Sequence, residues 1–345
     1  MASPSISVAM ATYNGERFIR EQLESILAQT IVPTEIVVTD DQSTDSTVQI
    51  VRNVLSDEVC RDRGITLTLR VNEKNLGPGE NFRHAISLCS GEFIALADQD
   101  DLWFPRKLEV LLSEFGADES LLLVHSDARL IDAGGSELPM VLSRGLSMTD
   151  AERAAIESGY SLPAIIKRNL VTGTTAVFRR ELGELAFQGP TVDLHDGRLA
   201  IVASVMDALR FVPLELVGYR QHDANEIGGK PLSLVDTVVA LMKSWDDLTA
   251  VLAERNKELE DLLGQLGDRV PAQNAIIVRE RISHNAWRIG LPSSRILRIW
   301  PVLWGALNGR YGRFGRFPHD FTRDMVMPPR EVLLGVLRSF TRRSF

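Results

Sequence analysis

FIALADQDDLW, residues 93–103, runs from apolar, strand-forming residues straight into three carboxylates, Asp98, Asp100 and Asp101, with only Gln99 among them. It reads as a buried strand that ends in a concentration of negative charge. Working outward from it, the same kind of strand recurs at SISVAMA (5–11), TEIVVTD (34–40) and ITLTLRV (65–71). Between them lie helices. Phe18, Ile19, Leu23, Ile26 and Leu27 repeat at helical spacing, and Asp45 or Ser46 can cap a helix running to about Leu55. A third helix follows Gly77-Pro78-Gly79, and PRKLEVLLSEF (105–115) is a fourth, with Pro105 suited to its first turn. Strands alternating with helices of this length predict right-handed βαβ crossovers and a Rossmann-like, mainly parallel sheet flanked by helices, an α/β fold. Residues 121–132, 174–180 and 208–220 supply later strands, whose order in the sheet cannot be read from the sequence.

Each of the first four strands ends in a polar cluster: Thr12-Tyr13-Asn14, Asp40-Asp41-Gln42-Ser43, Asn72 to Asn75, and Asp98 to Asp101. Parallel open sheets bind ligands at the carboxyl ends of their strands, so four clusters in register predict one cleft. Three neighbouring carboxylates repel one another, and burial worsens the repulsion. A divalent cation relieves it, and an all-oxygen Asp-x-Asp array suits Mg2+ or Mn2+, which keep waters and bind substrate phosphates. The competing structural reading gives Asp100 or Asp101 only the task of capping the helix near Pro105. The chain has no GxxxxGK[ST] and no GxGxxG after a strand, which weakens NTPase and dinucleotide-binding readings. An Asp-x-Asp phosphatase and a catalytically silent scaffold are the rivals from other classes. The phosphatase pattern normally continues into Thr or Val near the start of a chain, whereas here Asp101 and Leu102 follow.

The chain as a whole has an ordinary globular composition, 44% hydrophobic and 24% charged, and is long enough at 345 residues for a large domain with an accessory region. Cys60 and Cys89 give no disulfide framework, which predicts a cytoplasmic protein whose thiols are core hydrophobes. The N-terminal stretch lacks the pattern of a signal peptide, and no apolar run reaches the ~18 residues of a membrane span. Charge is uneven. From Arg279 onward there are 13 arginines, no lysine and four acidic residues, a net of +9 against −17 for the first 278 residues. After about Lys230 the pattern turns helical, with Leu234, Val238, Leu241, Trp245, Leu248 and Leu252 forming an apolar stripe expected to dock on the catalytic body or on a second copy. The predicted division is therefore residues 1–230 and a helical C-terminal region, 231–345.

SVAMATYNGERFIREQLESILAQT, EIVVTDDQSTDST, NEKNLGPGENF, GEFIALADQDDLW, LVTGTTAVFRREL, HDGRLA and YRQH, in that order, resemble family 2 glycosyltransferases of the GT-A fold, specifically their bacterial rhamnosyltransferase-like branch. The resemblance covers residues 5–228. It implies a nucleotide diphospho-sugar donor with Ala11, Thr12 and Tyr13 at the nucleotide, Asp40 reading the pyrimidine edge and Asp41 close by. Asn75, Gly77 and Asn81 would complete the base and ribose side. Asp98, Gln99 and Asp100 would bracket ribose and metal, with Asp100 the main ligand, Asp98 beside it and His222 able to reach metal or diphosphate. Gly173 would lie against the donor sugar or acceptor, Arg220 and Gln221 would contact diphosphate or acceptor, and Trp103 would line the sugar pocket. His125 and Asp127 are further candidates for the sugar side.

The resemblance also implies that Asp196 is the base that deprotonates the acceptor hydroxyl, with His195 orienting it, in one inverting displacement. The expected reaction moves L-rhamnose from dTDP-L-rhamnose, or a hexose from a UDP-sugar, onto a glycan acceptor of a cell-surface polysaccharide such as an O-antigen. The absence of Gln-x-x-Arg-Trp argues against a processive synthase. RILRIWPVLWGALNGRYGRFGRF (295–317) interleaves arginines with aromatic residues. An acidic body and the lack of a nucleic-acid motif argue against nucleic acid as its partner. The pattern suits a peripheral anchor at the cytoplasmic face of the inner membrane, near a lipid-linked acceptor, and the alternative is a helical subdomain that packs on the body or forms a homodimer.

Overall fold

Strand β1 (Ile6–Thr12) is the axis of the fold, paired in parallel with β2 (Glu35–Asp40) on one side and with β4 (Phe93–Asp98) on the other. β3 (Thr66–Val71) lies outside β2, also parallel. These strands are built largely of residues that a sheet covered on both faces can bury, and β1, β2 and β4 are buried along nearly their whole length. In this computed structural model, residues 4–189, 194–223 and 245–327 are described. The helices between the strands are α1 (Ile19–Leu27), α2 (Thr47–Val54), α3 (Asp57–Arg63) and α4 (Pro78–Leu88). The segment expected as one helix to Leu55 is thus followed by a second short helix, entered through Ser56, whose hydroxyl accepts from Val59 N.

The full sheet continues beyond β4 with β8 (Ala176–Arg179), β6 (Leu123–Ile131), β9 (Leu209–Arg220) and β5 (Leu102–Trp103), in the order β3-β2-β1-β4-β8-β6-β9-β5. After β4 come β5 (Leu102–Trp103), α5 (Lys107–Ala117), β6 (Leu123–Ile131) and β7 (Glu137–Val141), which pairs with β6. Helices α6 (Leu142–Gly145), α7 (Asp150–Glu157) and α8 (Leu162–Ile165) lead to β8 (Ala176–Arg179), α9 (Arg180–Ala186), α10 (His195–Val205) and β9 (Leu209–Arg220). The parallel character is confined to β1–β4 and the β6–β9 pair. β8 runs antiparallel to both β4 and β6, so the second half of the sheet is mixed. The chain leaves β1 for β2 and β3, then returns to β4 on the other flank. That reversal is a topological switch point, and a crevice opens at the carboxyl ends of β1 and β4.

The chain divides into two compact units, Met1–Ile165 with Asn169–Gly229, and Ile166–Arg168 with Lys230–Phe345. The second unit is helical: α11 (Trp245–Leu266), α12 (Ala272–Ile289), α13 (Arg295–Leu307), α14 (Arg310–Phe314) and α15 (His319–Val326). Of the predicted apolar stripe, Leu234, Val238 and Leu241 lie outside the described residues. Trp245, Leu248 and Leu252 are buried in this unit's own core with Leu291, Val302, Tyr311 and Met327, because the helices that follow them supply the apolar cover.

Several arginines of the basic tail also turn inward. Arg288 forms a buried bidentate pair with Asp324, which also accepts the Tyr311 hydroxyl at 2.7 Å. Arg298 is fully buried, its guanidinium 3.8 Å above the Trp245 ring. Neither arginine is available to an outside phosphate, which withdraws Arg298 from the expectation for the stretch 295–317. Among the described residues, no helix is long and apolar enough to cross a membrane.

Candidate active site

Parallel pairing sets Thr12 opposite Asp40 and Ala11 opposite Asp98, so the polar clusters do end level at one edge of the sheet. The β1 and β4 loops are stitched together by Gln99. Its amide donates to Tyr13 O and accepts from Tyr13 N, each at 3.0 Å. This leaves Tyr13 49% exposed beside the crevice.

The carboxylates of β2 face the other way. Asp40 is fully buried, accepting from the Thr12 hydroxyl at 2.8 Å and from Ser43 N at 2.8 Å and Ser43 Oγ at 2.6 Å. Asp41 accepts from Asn72 Nδ2, Leu76 N and Gly77 N, between 2.8 and 2.9 Å. Asn75 contributes by donating to Asp41 O at 3.2 Å, and Gly77 takes a φ of 80° that favours glycine. A carboxylate that reads a base edge needs oxygens open to the crevice. Asp40 and Asp41 spend theirs shaping loops 40–43 and 72–77. Asn81 is corrected in the same way: it is buried and donates to Thr12 O and Thr39 O, holding the strand ends together.

The β4 cluster separates into two roles. Asp100 faces the crevice, its Oδ2 2.7 Å from Nε2 of His222, which follows β9 and lies near the Phe18 ring. Asp101 is buried and accepts from Arg220 N at 2.9 Å. It does not cap the helix it precedes, whose N-cap is Arg106 and carries no side-chain cap bond. Arg220 is corrected as well. Its buried guanidinium donates to Asp100 O at 2.6 Å, Ala133 O at 3.2 Å and Glu21 Oε2 at 2.7 Å, so it clamps the carboxylate loop from beneath and does not reach outward. Gln221 stands next to it, half-buried, its amide at 3.5 Å from Arg220 O. Trp103 is buried under the loop, with the Lys107 ammonium 3.3 Å from its ring centroid, and does not line a sugar pocket.

Lys107 is the residue the sequence did not single out. It is fully buried near the start of α5, donates to Thr174 O at 2.7 Å, and sits close enough to Asp98 and Asp101 to act on both electrostatically. Arg106-Lys107 after a proline looks like a solvated helix start, and no sequence signal distinguishes it. Burial drives the Asp98 carboxyl up to about 7, with Asp100 and then Asp196 adding to the rise and Lys107 opposing it.

Asp196 arrives from the first turn of α10, a hundred residues later, and accepts from Gly173 N at 3.3 Å and Gly197 N at 2.6 Å. His195 is buried, its ring stacked on Phe82 at 4.0 Å, and among the described residues neither ring nitrogen has a hydrogen-bond partner. Burial lowers its pKa, so it is held neutral, while Asp196 pulls the other way. A Cβ on Gly173 would lie 3.0 Å from His195 Nε2, which explains a glycine there. His125 and Asp127 do not join the site. His125 packs on Phe211, and Asp127 is buried against Ser143, accepting from its N and Oγ.

The arrangement suits a divalent cation with few protein ligands. Among the described residues no three His, Cys, Asp or Glu side chains form a metal cage. Asp100 and His222 meet as a pair, which matches a cation that takes one or two protein ligands and fills its other positions with substrate phosphates and water.

A Rossmann-like parallel half continued by a mixed half, with a carboxylate loop at the switch point, is the GT-A fold of nucleotide-diphospho-sugar transferases. Residues 7–181 match the description of glycosyl transferase family 2, and the chain belongs to that family. It is 35% identical over 219 residues to a chondroitin synthase of Escherichia coli, covering 64% of this chain and 28% of that protein. It is 26% identical over 220 residues to a hyaluronan synthase of Pasteurella multocida, covering 64% of this chain and 19% of that one. The chain thus spans less than a third of the length of these relatives. In fold it resembles the mannosyltransferase PcManGT of Pyrobaculum calidifontis, solved with GDP-Man and Mn2+, at a TM-score of 0.52 and 19% identity over 90% of this chain and 77% of the other.

Proposed function

We propose that the chain is an inverting, metal-dependent glycosyltransferase that moves a sugar from a nucleotide diphosphate to a glycan hydroxyl, with residues 1–230 as its catalytic domain. The observation that carries this reading is the convergence of Asp98 at the end of β4, Asp100 in the loop after it, His222 after β9 and Asp196 from α10 on one crevice of a family 2 glycosyltransferase fold. Tyr13 stacks on the base, and the backbone of Ala11 to Tyr13 flanks the nucleotide. Asp100 and His222 hold Mg2+ or Mn2+, with Asp98 turned to the ribose side. The Mn2+ and GDP-Man of the structural neighbour support a cation of this class. When bound, the cation neutralises charge on the departing diphosphate. Asp196, oriented by Gly173 N and Gly197 N, accepts the proton of the attacking hydroxyl, and His195 stays neutral and packs behind it.

The first donor to test is dTDP-L-rhamnose, because of the sequence resemblance to the rhamnosyltransferase-like branch, followed by UDP-hexoses. The acceptor is a cell-surface glycan, carried on lipid at the cytoplasmic face of a membrane. A thermal-shift panel of dTDP-, UDP- and GDP-sugars with and without Mn2+ tests the reading. Metal-dependent stabilisation by one class supports it, and indifference to every nucleotide sugar refutes it. Asp196→Asn should keep donor binding and lose transfer by ~10²–10⁴-fold. Asp100→Asn should weaken metal-dependent donor binding, and equal donor affinity in both variants contradicts the assignment.

A further inference from the structure

A helix on the surface of a folded unit normally turns polar residues outward. In α13 the outward residues are Ile296, Leu297, Ile299, Trp300, Trp304 and Leu307, with Trp300 77% and Leu307 83% exposed. Arg298, Val302 and Gly305 form the inward face. Helical spacing gathers the outward residues onto one continuous apolar side of the helix, the kind of exposed face that marks an interaction surface. At the C-terminal end of this face a pocket of about 380 Å³ is lined by Trp287, Trp304, Phe314, Arg310 and Arg313.

The charges around this face are mainly basic, although Arg316 lies 3.7 Å from the Asp320 carboxylate. Between Glu280 and Asp320 the sequence holds seven arginines and no acidic residue. Arg281, Arg288 and Arg298 are buried, leaving Arg295, Arg310, Arg313 and Arg316 at or near the surface. Arg313 is paired with Glu280, and Arg310 lies 5.0 Å from the Trp287 ring centroid. An apolar plane with indoles among its outermost residues and guanidinium groups around it is complementary to an anionic phospholipid surface. There the acyl boundary takes the apolar side chains, the carbonyl level suits tryptophan, and phosphates receive arginine. A second copy packed face to face on α13 would bring two arginine-rich borders together, so charge favours lipid over self-association.

We infer that α13 lies in the plane of an anionic membrane with its Ile296–Leu307 face at the headgroup–acyl boundary, and that the Trp287–Trp304 pocket receives a lipid phosphate. This rests on the membrane location proposed above and is independent of the donor chemistry. The test is sedimentation of the full chain with phosphatidylglycerol-containing vesicles and with pure phosphatidylcholine vesicles, alongside transfer to a soluble acceptor. Wild type should bind the anionic vesicles. Trp300→Glu with Leu307→Glu should bind at least about tenfold more weakly, at unchanged melting temperature and unchanged soluble transfer. Arg310→Ala should lose affinity for anionic vesicles only.

Vesicle binding that the α13 variants leave intact overturns this inference and spares the membrane location. Wild type that ignores anionic vesicles overturns both. A solution dimer that Trp300→Glu dissociates and vesicles do not compete with overturns it in favour of a second copy.

Discussion

Gly173→Ala probes the junction on which the proposed chemistry depends. The new methyl carbon would stand 3.0 Å from His195 Nε2 and 3.5 Å from Leu96 Cδ1, and the first distance is tighter than nine in ten real Cβ contacts. His195 has little room to yield, since its ring is buried and stacked on Phe82 at 4.0 Å. Relief therefore comes from the first turn of α10, which carries Asp196, and from its 3.3 Å bond with Gly173 N. Overpacking of this kind costs about 1–3 kcal/mol of stability. Misplacement of a catalytic group costs about a hundredfold per ångström, so a shift of roughly half an ångström lowers kcat about tenfold. The donor is held from the β1 and β4 side, and its Kd should stay within about twofold of wild type. The assay is steady-state transfer at saturating donor, with donor Kd measured separately by calorimetry. Full kcat in a folded variant, or a loss confined to donor affinity, refutes the reasoning.

Lys107→Met should destabilise the first unit by about 3 kcal/mol, because it orphans the buried Thr174 carbonyl and removes the cation over Trp103, and denaturant titration should register it; wild-type stability would contradict this. Both thiols should resist a disulfide reagent in the native protein and react on unfolding, since burial pushes Cys89 up to about 12 and also raises Cys60; rapid native labelling would contradict the burial. Burial holds His125 and His284 down to about 3, below the unfolded value, so the unfolded chain takes protons first as the pH falls through 6.5. Their stabilisation is complete above that pH and diminishes below it, by about 2 kcal/mol for each histidine near pH 5; in the first unit the raised Asp98 carboxyl works in the opposite sense over the same range, so the test is the second unit's urea midpoint, and one that does not fall between neutral pH and pH 5 would refute it.

The strand ends were legible because apolar β-forming runs and the polar residues after them follow from chain chemistry alone. FIALAD and its carboxylates, and His195-Asp196 at the head of an apolar helix, landed at one crevice for that reason. Direction was not legible. A polar side chain at a strand end can face ligand or protein, and Asp40, Asp41, Asn81, Arg220 and Trp103 all turned inward to hold loops that the sequence presents only as positions. Lys107 looked like a solvated helix residue because nothing local announces a cation buried 67 residues away from the carbonyl it serves. In the basic tail, summed charge could not separate arginines buried against Asp320 and Asp324 from those at the surface. That separation depends on which helices pack together.

The Arg220 clamp ties residues far apart along the chain. Its bonds to Asp100 and Asp101 span 120 and 119 residues, and its bond to Glu21 spans 199. During synthesis the first four strands can emerge and pair long before residue 220 exists. Until β9 is added, the carboxylate loop lacks its only buried guanidinium among the described residues, so the crevice is assembled last although its most acidic parts are made first. A fragment limited to residues 7–181 would carry Asp98 and Asp100 but lack Asp196, His222 and the arginine that closes the loop.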